Sequence, residues 1–159
     1  MEGPAAPPVG LSRETRIRRD ARGRWFDGDV PVEHPSVQRA FDAWLERAED
    51  GRYRLRNDVN WAYVEVEGAP VFVRACALED GEVRLALSDG RREALDPTSL
   101  RQGPDGVLHC TVRGGTLAAR FDSHAAVQLS ALLDEDAAGP FVTLAGVRHR
   151  IASVVDPLA

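Results

Sequence analysis

Four histidines, two cysteines and a pair of alternating glutamates are the side chains of this chain with the chemistry for catalysis or metal binding. His109 sits beside Cys110, and His149 lies in the strand-like VRHRIA. With Cys76, or with a carboxylate, they could form a metal cluster or a Cys-His nucleophilic pair. Metal and zinc-protease sites announce themselves by short spacings such as C-x-x-C or H-E-x-x-H, and neither occurs here. The four residues therefore read as structural or surface side chains, with both thiols as small buried hydrophobes, and no metal or cofactor is expected. His34 stands at a helix entrance and His124 in a first helical turn. Glu65 and Glu67 occupy alternate positions, so they share a strand face, as a general acid and base would require. Such a pair also needs environments that split its pKa values, and alternation on an outer face accounts for it as well. Asp134, Glu135 and Asp136 read as a solvated run just past a helix. Gly114-Gly115 lacks the lysine and hydroxyl residue of a phosphate loop and joins two strands, so it reads as a turn. Ser36 and Ser123 lack G-x-S-x-G surroundings.

Two patterns suit binding better than reaction. Trp61 and Tyr63 share a face with Glu65 and Glu67, opposite Ala62, Val64 and Val66. Aromatic residues on an otherwise polar face are commoner at contact surfaces than elsewhere. The plainer reading lays a helix over that face, because Val37, Phe41, Trp44 and Leu45 need somewhere to pack. Arg52, Arg54 and Arg56 form a row which, if set next to Arg16 and Arg18, would make an anion or acidic-partner site. Its plainer reading is a charged sheet edge that resists pairing with other chains.

The elements that must hold these side chains follow from periodicity. Residues 1–12, rich in Pro and Gly, read as a flexible tail. From Thr15 the chain turns strand-like, with Asp27-Gly28 a hairpin signal. His34-Pro35 starts a helix whose face carries Val37, Phe41, Trp44, Leu45 and Ala48 and which is expected to run to Glu49. YRLRN follows as a half-buried strand, and WAYVEVEG, VFVRACAL and EVRLALS as an antiparallel run. After the polar stretch DGRREALDPTSLRQGPDG, the hairpin VLHCTVR/TLAARF leads into a helix capped by Asp122 or Ser123 and bearing Ala126, Leu129, Leu132 and Leu133, and then into FVTLAG. The order hairpin, helix, strand thus occurs twice. The fold class is α+β, with two repeated β-hairpin/helix/strand units joined by a central antiparallel strand run. Within one compact domain, residues 13–88 hold the first repeat and the central strands, 89–106 a connector, and 107–159 the second repeat.

A chain of 159 residues with 43% hydrophobic and 28% charged residues can bury a core, which rules out a disulfide scaffold or a wholly disordered chain. No apolar run approaches the roughly 20 residues that cross a bilayer, and Ala69 to Leu78 is interrupted by Arg74. The opening MEGPAAPPVG lacks a signal-peptide pattern, which points to a cytoplasmic protein without membrane contact. With a formal net charge of -5, nucleic-acid binding would need a local basic patch, and Arg13 to Arg24 supplies only a weak one. Every basic residue is arginine.

Three stretches resemble one known family. IRRDARGRWFDGDVPVEHPSVQRAFDAWL is similar to its opening signature of a basic strand, a D-G turn and an amphipathic helix. YRLRNDVNWAYVEVEGAPVFVRA resembles its tyrosine strand and V-E-D-A-P-F-V centre, and VRGGTLAARFDSHAAVQLSALL its V-R-x-G-L-x-A-R-L hairpin and helix. The family is the bacterial domain-of-unknown-function family twelve-eighty-five, DUF1285. Here Asn57-Asp58-Val59-Asn60 stands in place of its T-P-x-E-K, Val66-Glu67-Gly68-Ala69-Pro70 in place of V-E-D-A-P, and Ala125-Ala126 near its usual aromatics. The resemblance implies repeated structural motifs and an association with signalling, and it carries no catalytic residues. The sequence therefore reads as a non-enzymatic binding or regulatory module. Its site, for a small anionic ligand or a protein partner, lies in the groove between the repeats or on the face of Trp61, Tyr63, Glu65, Glu67, Arg52, Arg54 and Arg56. The alternative is a small hydrolase or transferase using His109, His149 or the glutamate pair.

Overall fold

A computed structural model describes residues 13–159; the expected tail over 1–12 lies outside the described residues. The chain divides into two compact units, one ending at Pro70 and one running from Val71 to Ala159. Among the described residues there are three sheets and two α-helices, a mostly β form of the α+β class.

In the first unit, β1 (Ile17–Arg19) pairs antiparallel with β2 (Trp25–Asp27), and β2 with β3 (Val30–Pro31) across the Asp27-Gly28 turn. Helix α1 (Pro35–Trp44) follows, with Pro35 at a first-turn position where its missing N–H costs nothing. Strands β4 (Leu45–Arg47), β5 (Tyr53–Arg56) and β6 (Trp61–Val66) make an antiparallel meander. β6 then lies parallel to β1, giving the order β3-β2-β1-β6-β5-β4. Trp25, Leu45, Leu55 and Val64 form the core, with Ile17, Phe41, Trp44 and Val66 packed on it. Phe41 of α1 meets Trp25 edge to face, ring centroids 5.3 Å apart.

The helix is shorter than its apolar stripe predicts. It stops at Trp44, because Leu45 turns to extended backbone and pairs with Leu55 in the sheet, where it is buried. Beneath α1 lies Arg19, only 1% exposed. Its Nη1 donates to Ala69 O at 2.5 Å and its Nε is 3.7 Å from Asp42 Oδ1, which also accepts from Trp25 Nε1 at 2.9 Å.

In the second unit, β7 (Val71–Glu79), β8 (Glu82–Leu87) and β9 (Arg92–Ala94) are antiparallel neighbours. β10 (Arg101–Gln102), β11 (Leu108–Val112) and β12 (Leu117–Phe121) extend that sheet, β12 running parallel to β7. Gly114 and Gly115, both with positive φ, close the β11–β12 hairpin as expected. Helix α2 (Ser123–Ser130) is capped by Asp122, whose side chain accepts from Ala125 N at 3.0 Å, and it buries Ala125 and Leu129. β13 (Leu133–Asp136), β14 (Gly139–Leu144) and β15 (Val147–Arg150) form a separate three-stranded sheet. β16 (Ala152–Ser153) returns to pair parallel with β10.

Three expectations need correction. The central antiparallel run is split, since β6 belongs to the first sheet and only β7 and β8 pair with each other. Gly68, at φ +70, and Pro70, which has no N–H, break the ladder between β6 and β7. The stretch 89–106 holds β9, a 3₁₀ turn at Pro97–Ser99 and β10, and it buries Leu95 and Leu100, so it is part of the fold. Leu133 and the acidic residues Asp134, Glu135 and Asp136 belong to strand β13, where pairing with β14 extends the backbone just past α2. One local irregularity is a β-bulge in β7, where the register with β8 shifts between Val73 and Ala75.

Candidate functional site

The site builds from the registers of the first sheet. Arg54 lies opposite Tyr63, Arg56 opposite Trp61, and Glu46 opposite Arg54. On the other side of β6, Glu65 faces Arg18, which faces Phe26. Side chains alternate between faces along a strand, so all of these project from one face, while Leu55, Val64, Ile17 and Trp25 project from the other. Phe41 and Trp44 of α1 pack on that second, apolar face. The plainer expectation is thereby corrected: the helix covers the face opposite Trp61 and Tyr63.

On the open face, Glu46 Oε1 accepts from Arg54 Nε at 2.7 Å and lies 2.7 Å from Arg56 Nε. Trp61 meets Tyr63 edge to face, centroids 5.1 Å apart. The Arg13 and Arg54 guanidinium carbons stand 4.2 Å and 5.2 Å from the Trp61 ring centre, and Arg52 stands 3.7 Å over Tyr63. Arg52 grips Glu14 with both terminal nitrogens, at 2.8 and 2.7 Å. The Tyr63 hydroxyl donates to Asp50 Oδ2 at 2.6 Å. Residues 13–15 run beside β6, because Tyr63 N donates to Arg13 O at 2.8 Å and Thr15 Oγ1 donates to Tyr63 O at 2.7 Å. Arg13 also donates to the Asn60 side chain and to Trp61 O.

These bonds fix the charges. The Arg52 guanidinium holds Glu14 below the usual carboxylate range and is itself raised by that carboxylate. The Tyr63 hydroxyl, then the Arg52 N–H, lower Asp50, and the bond to Asp50 raises the phenol. Ionised carboxylates, guanidinium planes and a protonated phenol can recognise charge and aromatic surface.

The remaining expected residues fall as follows. Glu65 is exposed in β6, and Glu67 is exposed beyond the strand end, its N–H donating to Arg19 O. The arginine row does not neighbour Arg16 and Arg18, because β6 lies between β5 and β1. Arg18 instead stacks over Phe26 at 4.2 Å and donates to Gly28 O. In the second unit His109 is buried in β11, its Nδ1 3.2 Å from Val107 O, and burial lowers its pKa. Cys110 is fully buried and pushed up to about 12 by desolvation; Cys76 is raised by the same cause. Both thiols are free. His149 lies in β15, in a different sheet. Among the described residues no three His, Cys, Asp or Glu side chains gather to hold a metal ion, and no helix is long and apolar enough to cross a membrane.

Sequence reading missed the carboxylates that organise the arginines: Glu14, Glu46 and Asp50. It also missed Asp89, whose side chain is 1% exposed and lies 2.7 Å from Arg113 Nη2 and 3.0 Å from Arg91 Nη1. The one signal for Asp89 is Ser88-Asp89-Gly90, which marks a turn and says nothing of burial.

No family model matches the chain, and no curated protein matches it. Among solved structures it is similar to a DUF1285 family protein from Silicibacter pomeroyi, with a TM-score of 0.67, 22% identity, and coverage of 93% of this chain and 87% of that one. A DUF1285 family protein from Shewanella baltica is similar over 70% of this chain and 87% of its own, with a TM-score of 0.55 and 19% identity. At these identities the likeness is one of fold, and it is to the family that the sequence motifs resemble.

Proposed function

We propose that this chain is a non-enzymatic binding module of the DUF1285 kind, and that the open face of its first sheet receives an acidic segment of a protein partner. The observation that carries the reading is the layer of arginines laid over Trp61 and Tyr63 on the face that α1 leaves uncovered. Glu14 on Arg52 shows the chemistry such a partner would use: a carboxylate meets both guanidinium nitrogens while the cation stays on the Tyr63 ring. A partner carboxylate would exchange with Glu14, so binding should be modest in strength and weakened by salt. Against the hydrolase or transferase alternative stands the burial of His109, which lowers its pKa. A role in signalling, on the strength of the motif resemblance, and a cytoplasmic location are part of this reading.

The finer layout we infer is a duplicated plan. Its support is the succession of hairpin, helix and antiparallel strands in β1 to β6 and again in β11 to β15. A fragment ending at Pro70 should melt cooperatively if the first copy is a folding unit, and a non-cooperative melt would count against it. The binding reading is tested with a hexaglutamate peptide followed by tryptophan fluorescence. Saturable, salt-sensitive binding should weaken about tenfold in Trp61→Ala and in Arg52→Gln, a loss of about 1.4 kcal/mol. Absence of saturation, or equal binding by both variants, overturns it.

A further inference from the structure

A second site stands in the other unit. β12 accompanies β7 only along Val71–Val73, and beyond that point α2 takes its place, with Gln128 Oε1 accepting from Cys76 N at 2.8 Å. That bond occupies the acceptor of the amide and leaves its NH₂ donors. Beside it is a cleft of about 260 Å³ whose lining includes Ala75, Ala77 and Ala86 with Arg84, Arg92 and Gln128. The registers explain the cleft. Ala75 faces Ala86, Ala77 faces Arg84, and Ala86 faces Arg92 on the far side, so these side chains share one sheet face. Three methyl groups make a low apolar floor, and two guanidiniums rise from it.

The polar groups are nearly all donors. Arg92 is exposed and has no carboxylate within ion-pair distance among the described residues, and the nearest to Arg84 is Glu82 at 3.9 Å. Glu79 is the one acidic residue of the lining. We propose that this cleft binds a small organic monocarboxylate, its planar carboxylate held by Arg84, Arg92 and the Gln128 amide and its short apolar body resting on the alanines. The volume is below the roughly 300–1,000 Å³ of sites for drug-sized ligands, which limits the body to a few carbons. Glu79 repels a second anionic group, so a dicarboxylate is disfavoured.

The test is an amide NMR titration of the full chain with isobutyrate, with isobutyramide as its neutral counterpart, and with succinate and inorganic phosphate. Isobutyrate should give saturable shifts at Ala75, Ala77, Ala86 and the Gln128 side chain, and each of the other three should bind at least about tenfold more weakly. Arg92→Gln should weaken isobutyrate about tenfold with an unchanged melting midpoint, and Ala77→Leu should abolish binding by filling the floor. The proposal is overturned by shifts that do not saturate or lie elsewhere, by isobutyramide, succinate or phosphate binding as tightly as isobutyrate, or by an unaffected Arg92→Gln.

Discussion

The two faces of the first sheet use the same residue types to opposite ends. On the covered face Arg19 is 1% exposed and is gathered with Asp42, Trp25 and Ala69 O under α1. On the open face Arg52 and Glu14 keep 43% and 60% of their side-chain surface in water, and Arg52 stacks over Tyr63. A buried pair cannot lose one member without stranding a charge, whereas an exposed pair exchanges with solvent or with another carboxylate at little cost. Burial, and not the identity of the side chains, thus separates the arginines that hold the fold from those available to a partner. The Asp89 cluster of the second unit falls with the first kind.

The largest effect should come from Asp42→Ala, which takes a carboxylate from beside the buried Arg19 guanidinium and removes the acceptor of Trp25 Nε1. Denaturant unfolding should show a loss of about 3–5 kcal/mol, and a loss below 1 would place Arg19 with the exposed class. Asp89→Asn should cost about 2 kcal/mol through its bonds to Arg113 and Arg91. Burial raises Asp89, but the Arg91 N–H and the Arg113 guanidinium outweigh it and hold the carboxyl below its ordinary 3.8. Its stabilisation is therefore present above that value and lost as pH falls through the lowered one, so the variant should lose part of its acid unfolding limb. His109 gives a smaller effect. With its pKa lowered from 6.5 by burial, stability should decline as pH drops below 6.5, and His109→Gln should flatten that slope. The smallest is Glu14→Gln, for which the melting midpoint should not move while the affinity for an acidic peptide rises; a large drop in the midpoint would erase the contrast between the faces.

Local rules made much of this legible. Proline at the start of α1, the alternation along β6 and the Gly114-Gly115 turn each follow from backbone constraints within a few residues. The end of α1 does not, because Leu45 and Ala48 continue the helical stripe and only the pairing of Leu45 with Leu55 draws the chain out of the helix and into the sheet. The arginines and aromatics of the open face could be read from alternation in β5 and β6. Their carboxylates could not: Glu46 lies 8 residues from Arg54 and Glu14 lies 38 residues from Arg52, so the chain's return, and no spacing rule, brings them together. Which face α1 covers is likewise a tertiary fact.

The bulge in β7 has a consequence for how the chain can change in length. Val73 and Cys76 are both buried although three positions separate them, because the bulge absorbs one residue, with exposed Arg74 between Val73 and Ala75. Removing Arg74 would leave these two side chains at ordinary two-residue spacing, still pointing inward. A deletion there should fold, whereas deleting Arg84 from β8, between the buried Val83 and Leu85, should turn one of those two side chains outward and lower the melting midpoint sharply. Arg74 is thus a place where a gene could lose a codon without losing the sheet.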